Sequence, residues 1–380
     1  MRFIMTVLAA SALAAPASVE KMSEIALHWP APQPAERPHH APAGDGMGVS
    51  HDGSTHEIAF VPGRNEAVIS GQNYDALARV GSDGRVTYRR MKAGSGPHGL
   101  GFDKDGLLWV TLEFEGRVIA FAPDGRKVKD IPVTLDCKSC VEPVNSHPHG
   151  LGIADDGRTV WFTGKATGTV GRIATDGSLA TWQLPTIGSL PIYIRPGPDP
   201  AGKGRETMWA TELTGNRIAA ISVTPGERFP KAEIREFVIP TANSRPIAVE
   251  RGPDGLMWFS EEAGGKVARI EKEGRITEFA IPKPLGRPNM LLAALAFDRE
   301  GNLWVQQYVD HANPKPAGGD RIARISRRIL SASPGSLKPT DFTWFAVPTS
   351  ASVMHRIAQG PDGAMWSTEL ETDRVGRVTR

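Results

Sequence analysis

An internal repeat is the feature of this sequence that most limits how the chain can fold. Its marker is an Asp-Gly or Glu-Gly turn followed by a short apolar step and a tryptophan, with a longer turn in one copy. The tryptophans in this place are Trp109, Trp161, Trp209, Trp258, Trp304 and Trp366. Each is followed by a basic and apolar run, another turn, and a run such as residues 276–282 that ends in proline. Repeats of about 40 to 50 residues with four short strands indicate the blades of a β-propeller.

A seventh, degenerate copy comes first, over residues 56–88, so we expect an all-β, seven-bladed propeller with four-stranded blades. The last copy stops after its third strand. The run over residues 24–30 resembles the fourth strand of other copies, and we expect it to complete the last blade and remove the open sheet edge. The propeller is expected to span residues 54–380 as one domain, and ring closure within one chain makes a monomer sufficient.

The N-terminus predicts export. Residues 1–17 combine one positive charge, a short apolar run and small residues suited to cleavage, which is typical of a signal peptide; a hydrophobic first strand is the alternative. No other stretch approaches the roughly 20 apolar residues of a membrane span, so we expect a soluble periplasmic or secreted protein. Residues 18–53 should hold the closing strand and a linker rich in proline, histidine and glycine, where His39 and His40 are better explained as solvated than as metal ligands.

Charge balance argues against a nucleic-acid partner. Lys and Arg total 44 against 42 Asp and Glu, which gives a formal net charge of +2, and no block of like charges stands out. Proteins that bind nucleic acid usually carry a basic patch or stripe. We therefore expect no nucleic-acid partner.

The two cysteines, Cys137 and Cys140, are spaced C-x-x-C. One such pair is half of a zinc ribbon and lacks its second half. In an oxidising compartment we expect a local disulfide that pins a loop, with a redox role as the alternative.

Histidines recur at one place in the repeat, where the innermost strand begins. His98 and His355 each stand eleven residues before the tryptophan of their copy, and His149 is equivalent with one extra residue in its turn. His56 occupies the matching place in the first copy. These four copies are neighbours round a closed ring, so we expect the histidines to gather near the central pore. The alternative is that each imidazole bonds a neighbouring carbonyl in a turn.

Acidic and amide residues recur three positions past the tryptophan. They are Glu212, Glu261, Gln307 and Glu369. We expect them on the same face, as hard ligands for a divalent cation or as partners that orient a histidine base; pairing with a nearby basic residue is the alternative. The sharpest pair is His355 and Glu369 with Arg356 beside them, a set suited to proton abstraction next to a carbonyl. Further candidates for the rim of the pocket are Tyr193, Arg195, Lys165 and Tyr308.

Two kinds of segment in the repeat are diagnostic, Pro-His-Gly-Leu and Gly-Pro-Asp-Gly-x-Met-Trp. They stand at residues 97–100, 148–151, 252–261 and 360–369. In these segments, and over roughly residues 24–380, the chain resembles the virginiamycin B lyase, or streptogramin lyase, family of seven-bladed propellers. The resemblance implies a carbon–oxygen lyase that opens the ester of a cyclic depsipeptide antibiotic by elimination. It also implies a last-blade histidine base, matched by His355, and magnesium bound by glutamates, one of them matched by Glu369.

The sequence departs from that pattern at two places. The family has a glutamate two residues before its catalytic histidine, where this chain has Val353, and a Pro-His element in the sixth blade, where this chain has Asn289 after proline. The histidines of the first three copies have no match in the family's catalytic set. A site that uses His56, His98 and His149 with a transition metal is therefore the alternative to a magnesium site.

Two other functions remain open at this point. A propeller of this kind can hydrolyse an ester or lactone with a divalent cation that activates water. It can also be a binding platform without chemistry, since the fold alone does not specify an activity.

Overall fold

The computed structural model describes residues 21–31 and 53–379. The predicted signal peptide, His39 and His40 lie outside the described residues. The described chain is almost entirely β, with thirty strands in seven four-stranded sheets and one two-stranded hairpin. Its 3₁₀ turns cover Gln72–Tyr74, Arg327–Ser331 and Pro339–Asp341. Among the described residues, no helix has the length and apolar character to cross a membrane.

Strand β1 (Lys21–Ala26) precedes the first full blade, and the blades follow in chain order. Blade 1 contains β2 (Thr55–Phe60), β3 (Glu66–Gly71), β4 (Ala76–Gly81) and β5 (Val86–Arg90). Blade 2 contains β6 (Pro97–Phe102), β7 (Leu108–Leu112), β8 (Arg117–Phe121) and β9 (Lys127–Pro132). The hairpin that follows consists of β10 (Thr134–Leu135) and β11 (Val144–Asn145).

The remaining blades repeat the same order, with the innermost strand first. Blade 3 contains β12 (Pro148–Ile153), β13 (Val160–Gly164), β14 (Thr169–Ile173) and β15 (Leu179–Gln183). Blade 4 contains β16 (Pro191–Pro196), β17 (Glu206–Glu212), β18 (Arg217–Val223) and β19 (Ala232–Val238). Blade 5 contains β20 (Pro246–Arg251), β21 (Met257–Glu261), β22 (Lys266–Ile270) and β23 (Ile276–Ala280). Blade 6 contains β24 (Met290–Phe297), β25 (Leu303–Val309), β26 (Arg321–Ile325) and β27 (Phe342–Ala346). Blade 7 contains β28 (Met354–Gln359), β29 (Met365–Glu369), β30 (Arg374–Thr379) and β1.

The predicted seven-bladed propeller with N-terminal closure is confirmed. Strand β1 pairs antiparallel with β30, from Lys21 opposite Thr379 to Ala26 opposite Arg374. The strand lies earlier than the expected 24–30, because the chain beyond Ala26 crosses to blade 1. There Trp29 stacks on Tyr74 and its indole N–H donates to Thr55 Oγ1 at 3.0 Å.

The tryptophan of the repeat is a core residue of its blade. Trp258 is fully buried and stacks on Phe279 of the outer strand, with ring centres 5.7 Å apart, and Trp304 stacks on Phe345 at 5.2 Å. In several blades an aspartate of the turn accepts the indole hydrogen bond, as Asp298 does from Trp304 at 2.9 Å, whereas Trp161 donates to Glu206 at 2.7 Å. Aromatic pairs of this kind add about 0.5 to 1.5 kcal/mol beyond the burial of their area. The tryptophan that marks each repeat in the sequence is therefore a residue that packs the core of its blade.

A β-bulge in each innermost strand points one side chain into the pore. In blade 7 the register shifts between Met354 and Ile357, and the Arg356 N–H leaves the ladder to donate to Thr368 Oγ1 at 2.9 Å. The same hydroxyl donates to the His56 carbonyl of blade 1 at 2.6 Å, so it ties the bulge to the next blade. Bulges re-aim side chains where a strand needs a functional face. Here they aim one residue per blade at the centre of the ring.

Candidate functional site

The bulges bring four histidines together on one side of the pore. The ring centre of His98 lies 4.8 Å from that of His56, 5.5 Å from that of His355 and 3.7 Å from that of His149. His56 and His355 are 5.0 Å apart. His98 is fully buried, and His355 is the most accessible of the four. The gathering of His56, His98, His149 and His355 expected from the repeat is what the structure shows.

Hydrogen bonds set the tautomers of two of these rings. His56 Nδ1 lies 2.9 Å from the Ser54 carbonyl oxygen, and His149 Nδ1 lies 2.9 Å from the Ile192 carbonyl oxygen. A carbonyl oxygen only accepts, so in each ring Nδ1 carries the proton and the neutral ring keeps its lone pair on Nε2.

Burial lowers the pKa of two of the four histidines. Burial holds the pKa of His98 well below its ordinary value, and the nearby His56 and Lys165 lower it further. The pKa of His149 is also well below its ordinary value, first through burial and then through His98. Both imidazoles therefore remain unprotonated near neutral pH.

The opposite side of the pore carries hydrocarbon and one buried polar pair, in which the Tyr308 hydroxyl donates to Glu262 at 2.5 Å. Blades 4, 5 and 6 present Ile192, Ile247 and Ala293 at the place of the histidines. These side chains line a cavity with His149, His355 and several others, namely Leu213, Glu262, Tyr308, Val353, Met354, Arg356 and Leu370. A group held there would meet imidazoles on one side and mainly hydrocarbon on the other.

A charged and aromatic layer lies one residue further along the innermost strands. Arg356 is 3% exposed; its guanidinium approaches Glu57 at 2.7 Å and lies 4.0 Å over the ring of Tyr193. The Tyr193 hydroxyl donates to Glu250 at 2.7 Å, and Arg195 pairs with Glu250 at 3.0 Å. Burial raises the pKa of Tyr193 above its ordinary value. Tyr193, expected at the rim, is thus part of this inner layer.

Glu57 also faces the base predicted from the sequence. Its Oε1 lies 3.8 Å from His355 Nδ1 as well as 2.7 Å from Arg356. A carboxylate on Nδ1 favours the tautomer whose Nε2 accepts a proton. At 3.8 Å the contact is electrostatic and too long for a hydrogen bond, so Glu57 is an acidic neighbour of His355 and does not by itself fix its tautomer.

The residues three past the tryptophan lie inside their blades. Glu369 contacts Thr372 at 3.4 Å and lies beside Glu24 and Arg374, away from the cavity that His355 lines. Glu261 lies beside Ser244, Lys266 and Glu278, and Glu212 beside Ser189, Arg217 and Glu236. In blade 6 the same place holds Gln307, which accepts from Arg321 at 2.7 Å.

These residues were expected on the same face as the histidines, and the alternation of side chains along a strand explains why they lie inside the blades instead. Side chains on a strand alternate between faces, so the residue three past the tryptophan and its successor point in opposite directions. The successors Leu213, Glu262, Tyr308 and Leu370 line the cavity. The same acidic and basic neighbours recur in blades 4, 5 and 7, which identifies these glutamates as parts of the blade framework.

Burial has raised the pKa values of the three framework glutamates. The pKa rises to about 7 for Glu212, to about 8 for Glu261 and to about 8 for Glu369. Loss of solvation is the main cause in each. For Glu261 and Glu369 the next cause is a second carboxylate on the outer strand, Glu278 or Glu24.

The cysteine loop lies beside the pore rim. Cys137 and Cys140 are joined by a disulfide in the loop between β10 and β11. Asn145, on β11, donates to the carbonyl of Glu113 at 3.0 Å, which fixes the hairpin to blade 2. Glu113 is itself buried, and Gln72 donates to it at 2.5 Å while Lys165 approaches at 3.4 Å.

Known proteins share both the sequence pattern and the fold. Residues 127–329, more than half of the chain, match the model of the virginiamycin B lyase family. The chain is 30% identical over 241 residues to virginiamycin B lyase of Nocardia farcinica (strain IFM 10152), which covers 63% of this chain and 69% of that protein. This chain belongs to the virginiamycin B lyase family.

Two solved structures of the virginiamycin B lyase family share the fold. A streptogramin B lyase structure aligns with a TM-score of 0.68 at 20% identity, over 95% of this chain and 97% of that one. A catalytically inactive histidine-to-alanine variant of virginiamycin B lyase from Staphylococcus aureus, solved with quinupristin, aligns with a TM-score of 0.68 at 22% identity over 95% and 100%. At these identities the likeness establishes the fold alone.

The magnesium implied by membership of the virginiamycin B lyase family does not fit the residues around His355. Magnesium takes oxygen ligands in octahedral geometry. Val353 stands where the family has a glutamate, Glu369 lies inside blade 7, and the groups nearest His355 are mainly imidazoles. Within the described residues, two groups place three potential ligand atoms within 4.8 Å of one another: His56, His98 and His355, and His98, Glu113 and His149.

Three site residues were missed in the sequence. Glu113 and Glu262 each stand four positions past their tryptophan, and Glu57 follows His56 where Arg356 follows His355. The fixed distance from the tryptophan could have identified Glu113 and Glu262. Nothing in the sequence distinguished Glu57 from the other acidic residues.

Proposed function

We propose that this protein is a carbon–oxygen lyase that opens an ester or lactone by proton abstraction and elimination. The observation that carries the proposal is the position of His355. It lines the cavity, belongs to the last blade of a family member, and has Nδ1 facing the Glu57 carboxylate.

His355, Glu57 and Arg356 have different roles in the proposed elimination. His355 takes a proton from the carbon next to the substrate carbonyl, and the nearby Glu57 carboxylate stabilises the imidazolium that forms. The electrons of the C–H bond form a C=C bond, the neighbouring C–O bond breaks, and a carboxylate leaves. Arg356 keeps a cationic group next to the base, and its charge is balanced by Glu57 at 2.7 Å.

The cavity is small, about 30 Å³, so it can admit one small apolar group of a larger substrate and not a whole molecule. Ile192, Ile247 and Ala293 face the histidines across the pore, and Leu213 and Leu370 extend that surface. Cyclic peptides and lactones with hydrocarbon side chains present such a surface beside a polar ester. We therefore propose a small molecule or cyclic depsipeptide of this kind as the substrate.

Product mass tests the proposal. The metal-free protein is incubated with a streptogramin B and with simpler cyclic depsipeptides, and the products are followed by mass spectrometry and ultraviolet absorbance. Elimination opens the ring without a change of mass and gives an unsaturated product, whereas hydrolysis adds the mass of one water. A water adduct would contradict the lyase and indicate the lactonase or esterase alternative.

A variant of the base tests the role of His355. We expect His355→Ala to lose about 100-fold or more of the rate, the usual contribution of a general base. The matched control is His28→Ala, an exposed histidine on the chain segment after β1. Full activity of His355→Ala would overturn the mechanism.

We also propose that the protein is exported. The signal-like residues 1–17 and the Cys137–Cys140 disulfide support an oxidising compartment. The N-terminus of the mature protein, determined by mass spectrometry of periplasmic and cytoplasmic fractions, tests this. A periplasmic chain that begins near residue 15 to 18 is expected, and an intact N-terminus in the cytoplasm would contradict export.

A further inference from the structure

We propose that His56, His98 and His355 form a binding site for one divalent transition metal ion, such as Zn²⁺ or Co²⁺. The site goes beyond the proposed lyase activity but shares His355 with it. Its position is the centre of the pore, at the bulges of blades 1, 2 and 7.

The spacing of the three rings is that of imidazoles around one ion. Three imidazoles on a tetrahedral ion, with metal–nitrogen distances of about 2.1 Å, have ring centres about 5.3 Å apart. The observed separations are 4.8 Å for His56 and His98, 5.0 Å for His56 and His355, and 5.5 Å for His98 and His355. One ring nitrogen from each lies within 4.8 Å of the others.

An outer contact orients one of the rings in the way that metal ligands require, and a second ring has an acidic neighbour. Histidines that bind a metal through one nitrogen usually donate the other N–H to a carbonyl or carboxylate. His56 Nδ1 is 2.9 Å from the Ser54 carbonyl oxygen, and His355 Nδ1 is 3.8 Å from Glu57 Oε1. The His56 hydrogen bond leaves the lone pair of that ring on Nε2, whereas the longer His355 contact places a carboxylate on the Nδ1 side without fixing the tautomer.

His98 supplies an independent indication of a ligand. It is 0% exposed; its ring faces the backbone of His149, and neither ring nitrogen makes a hydrogen bond of normal geometry within the part of the chain that the structure describes. A buried polar atom without a partner costs about 1 to 3 kcal/mol. A metal ion between the rings would give one of these nitrogens a partner.

The fourth histidine is excluded from the set by geometry. The ring centre of His149 is only 3.7 Å from that of His98, with the planes tilted by 36°, and this is closer than the roughly 5.3 Å of two imidazoles on one tetrahedral ion. The second candidate group needs Glu113, whose charge is already matched by Lys165 at 3.4 Å. His149 is therefore a matched control rather than a ligand.

The donor set and the cavity define the class of ion. Neutral imidazoles suit Zn²⁺, Co²⁺, Ni²⁺ and Cu²⁺, whereas Mg²⁺ takes oxygen ligands. His355 also lines the cavity, so the fourth coordination position faces the space where a substrate would bind. An ion there uses the lone pair of His355, and we therefore expect Zn²⁺ to inhibit elimination.

Cobalt spectroscopy tests the site. The metal-free protein is titrated with Co²⁺, and the visible absorption of a four-coordinate ion is recorded; zinc affinity follows from competition. We expect one ion per chain. In His98→Gln and His56→Gln the affinity should fall at least tenfold, whereas His149→Gln should bind within about twofold of the wild type. Far-ultraviolet circular dichroism confirms that each variant is folded.

Three results would overturn the site: no binding at micromolar Co²⁺ or Zn²⁺, unchanged affinity in folded His98→Gln, or an equal loss in His149→Gln. X-ray absorption of the zinc-loaded wild type does not depend on any variant, and fewer than three imidazole ligands would also contradict the proposal. Turnover by the metal-free wild type is measured separately. Absence of elimination there refutes the lyase proposal and leaves the metal site unaffected.

Discussion

At the scale of single residues, the buried carboxyl of Glu261 sets a dependence of stability on pH. Its pKa is about 8 in the folded protein, against an ordinary value of 4.5, because burial removes its solvation. Between these two values the folded state binds a proton that the unfolded state has released, so stability falls as pH rises. The slope is at most about 1.4 kcal/mol per pH unit for one such group.

Glu261→Gln should therefore raise the thermal midpoint at pH 8 relative to the wild type and change it little at pH 5. Scanning calorimetry at the two pH values measures the difference. Glu273→Gln, at an exposed acid before β23, is the control and should not alter the pH dependence. An equal effect of Glu261→Gln at both pH values would show that this carboxyl is ionised in the fold.

Arg356 and Glu57 form a buried ion pair, so we expect replacement of one partner to lower the stability of the fold strongly and replacement of both to restore much of it. Arg356→Leu leaves Glu57 buried without its main cation, and removal of one partner of a buried pair costs about 3 to 5 kcal/mol. The double variant Arg356→Leu with Glu57→Leu should recover much of the loss, because no charge is left uncompensated. Urea unfolding of the single and double variants measures both, and a double variant as unstable as the single one would contradict the interpretation.

At the scale of elements, the Thr368 hydroxyl bridges two blades. It accepts from the Arg356 N–H and donates to the His56 carbonyl, so it holds two histidine-bearing bulges in register. Thr368→Val removes both bonds at nearly constant volume and should cost about 1 to 3 kcal/mol. Thr379→Val, at an exposed position of β30, is the control in the same unfolding experiment. Equal stability of the two variants would show that the bridge is not needed.

The blades were predictable because their marker is a core residue. Trp258 and its equivalents recur at a fixed place since each must pack on the outer strand, and the same turns return the chain each time. The histidines were predictable for the same reason, as the bulge that aims His98 recurs in every blade. The glutamates were not, because a shift of one position on a strand changes the face. Glu57 of blade 1 contacts Arg356 of blade 7, and the spacing of residues within one repeat does not indicate a contact between two blades.

At the scale of the whole molecule, strand β1 connects the two ends of the ring. Its pairing with β30 completes the last blade, and Thr349, in the loop that leads into β28, donates to Glu24 at 2.8 Å. A chain that begins at Leu27 should expose the edge of β30 and associate through it. Light scattering should show a monomer for the chain that begins at residue 18 and larger species for the truncated one. A monomeric truncated chain would show that the edge is protected in another way.

The pore combines imidazoles from blades 7, 1, 2 and 3 with hydrocarbon from blades 4, 5 and 6. Seven similar blades around an axis would by themselves let a ligand bind in any of several rotated positions. The difference between the histidine side and the hydrocarbon side of the pore removes that equivalence. We expect a substrate with one apolar and one polar side to bind in a single rotational setting, so that the proposed base His355 approaches only one face of the reacting carbon. The proposed elimination should then be stereospecific and give one geometric isomer of the alkene.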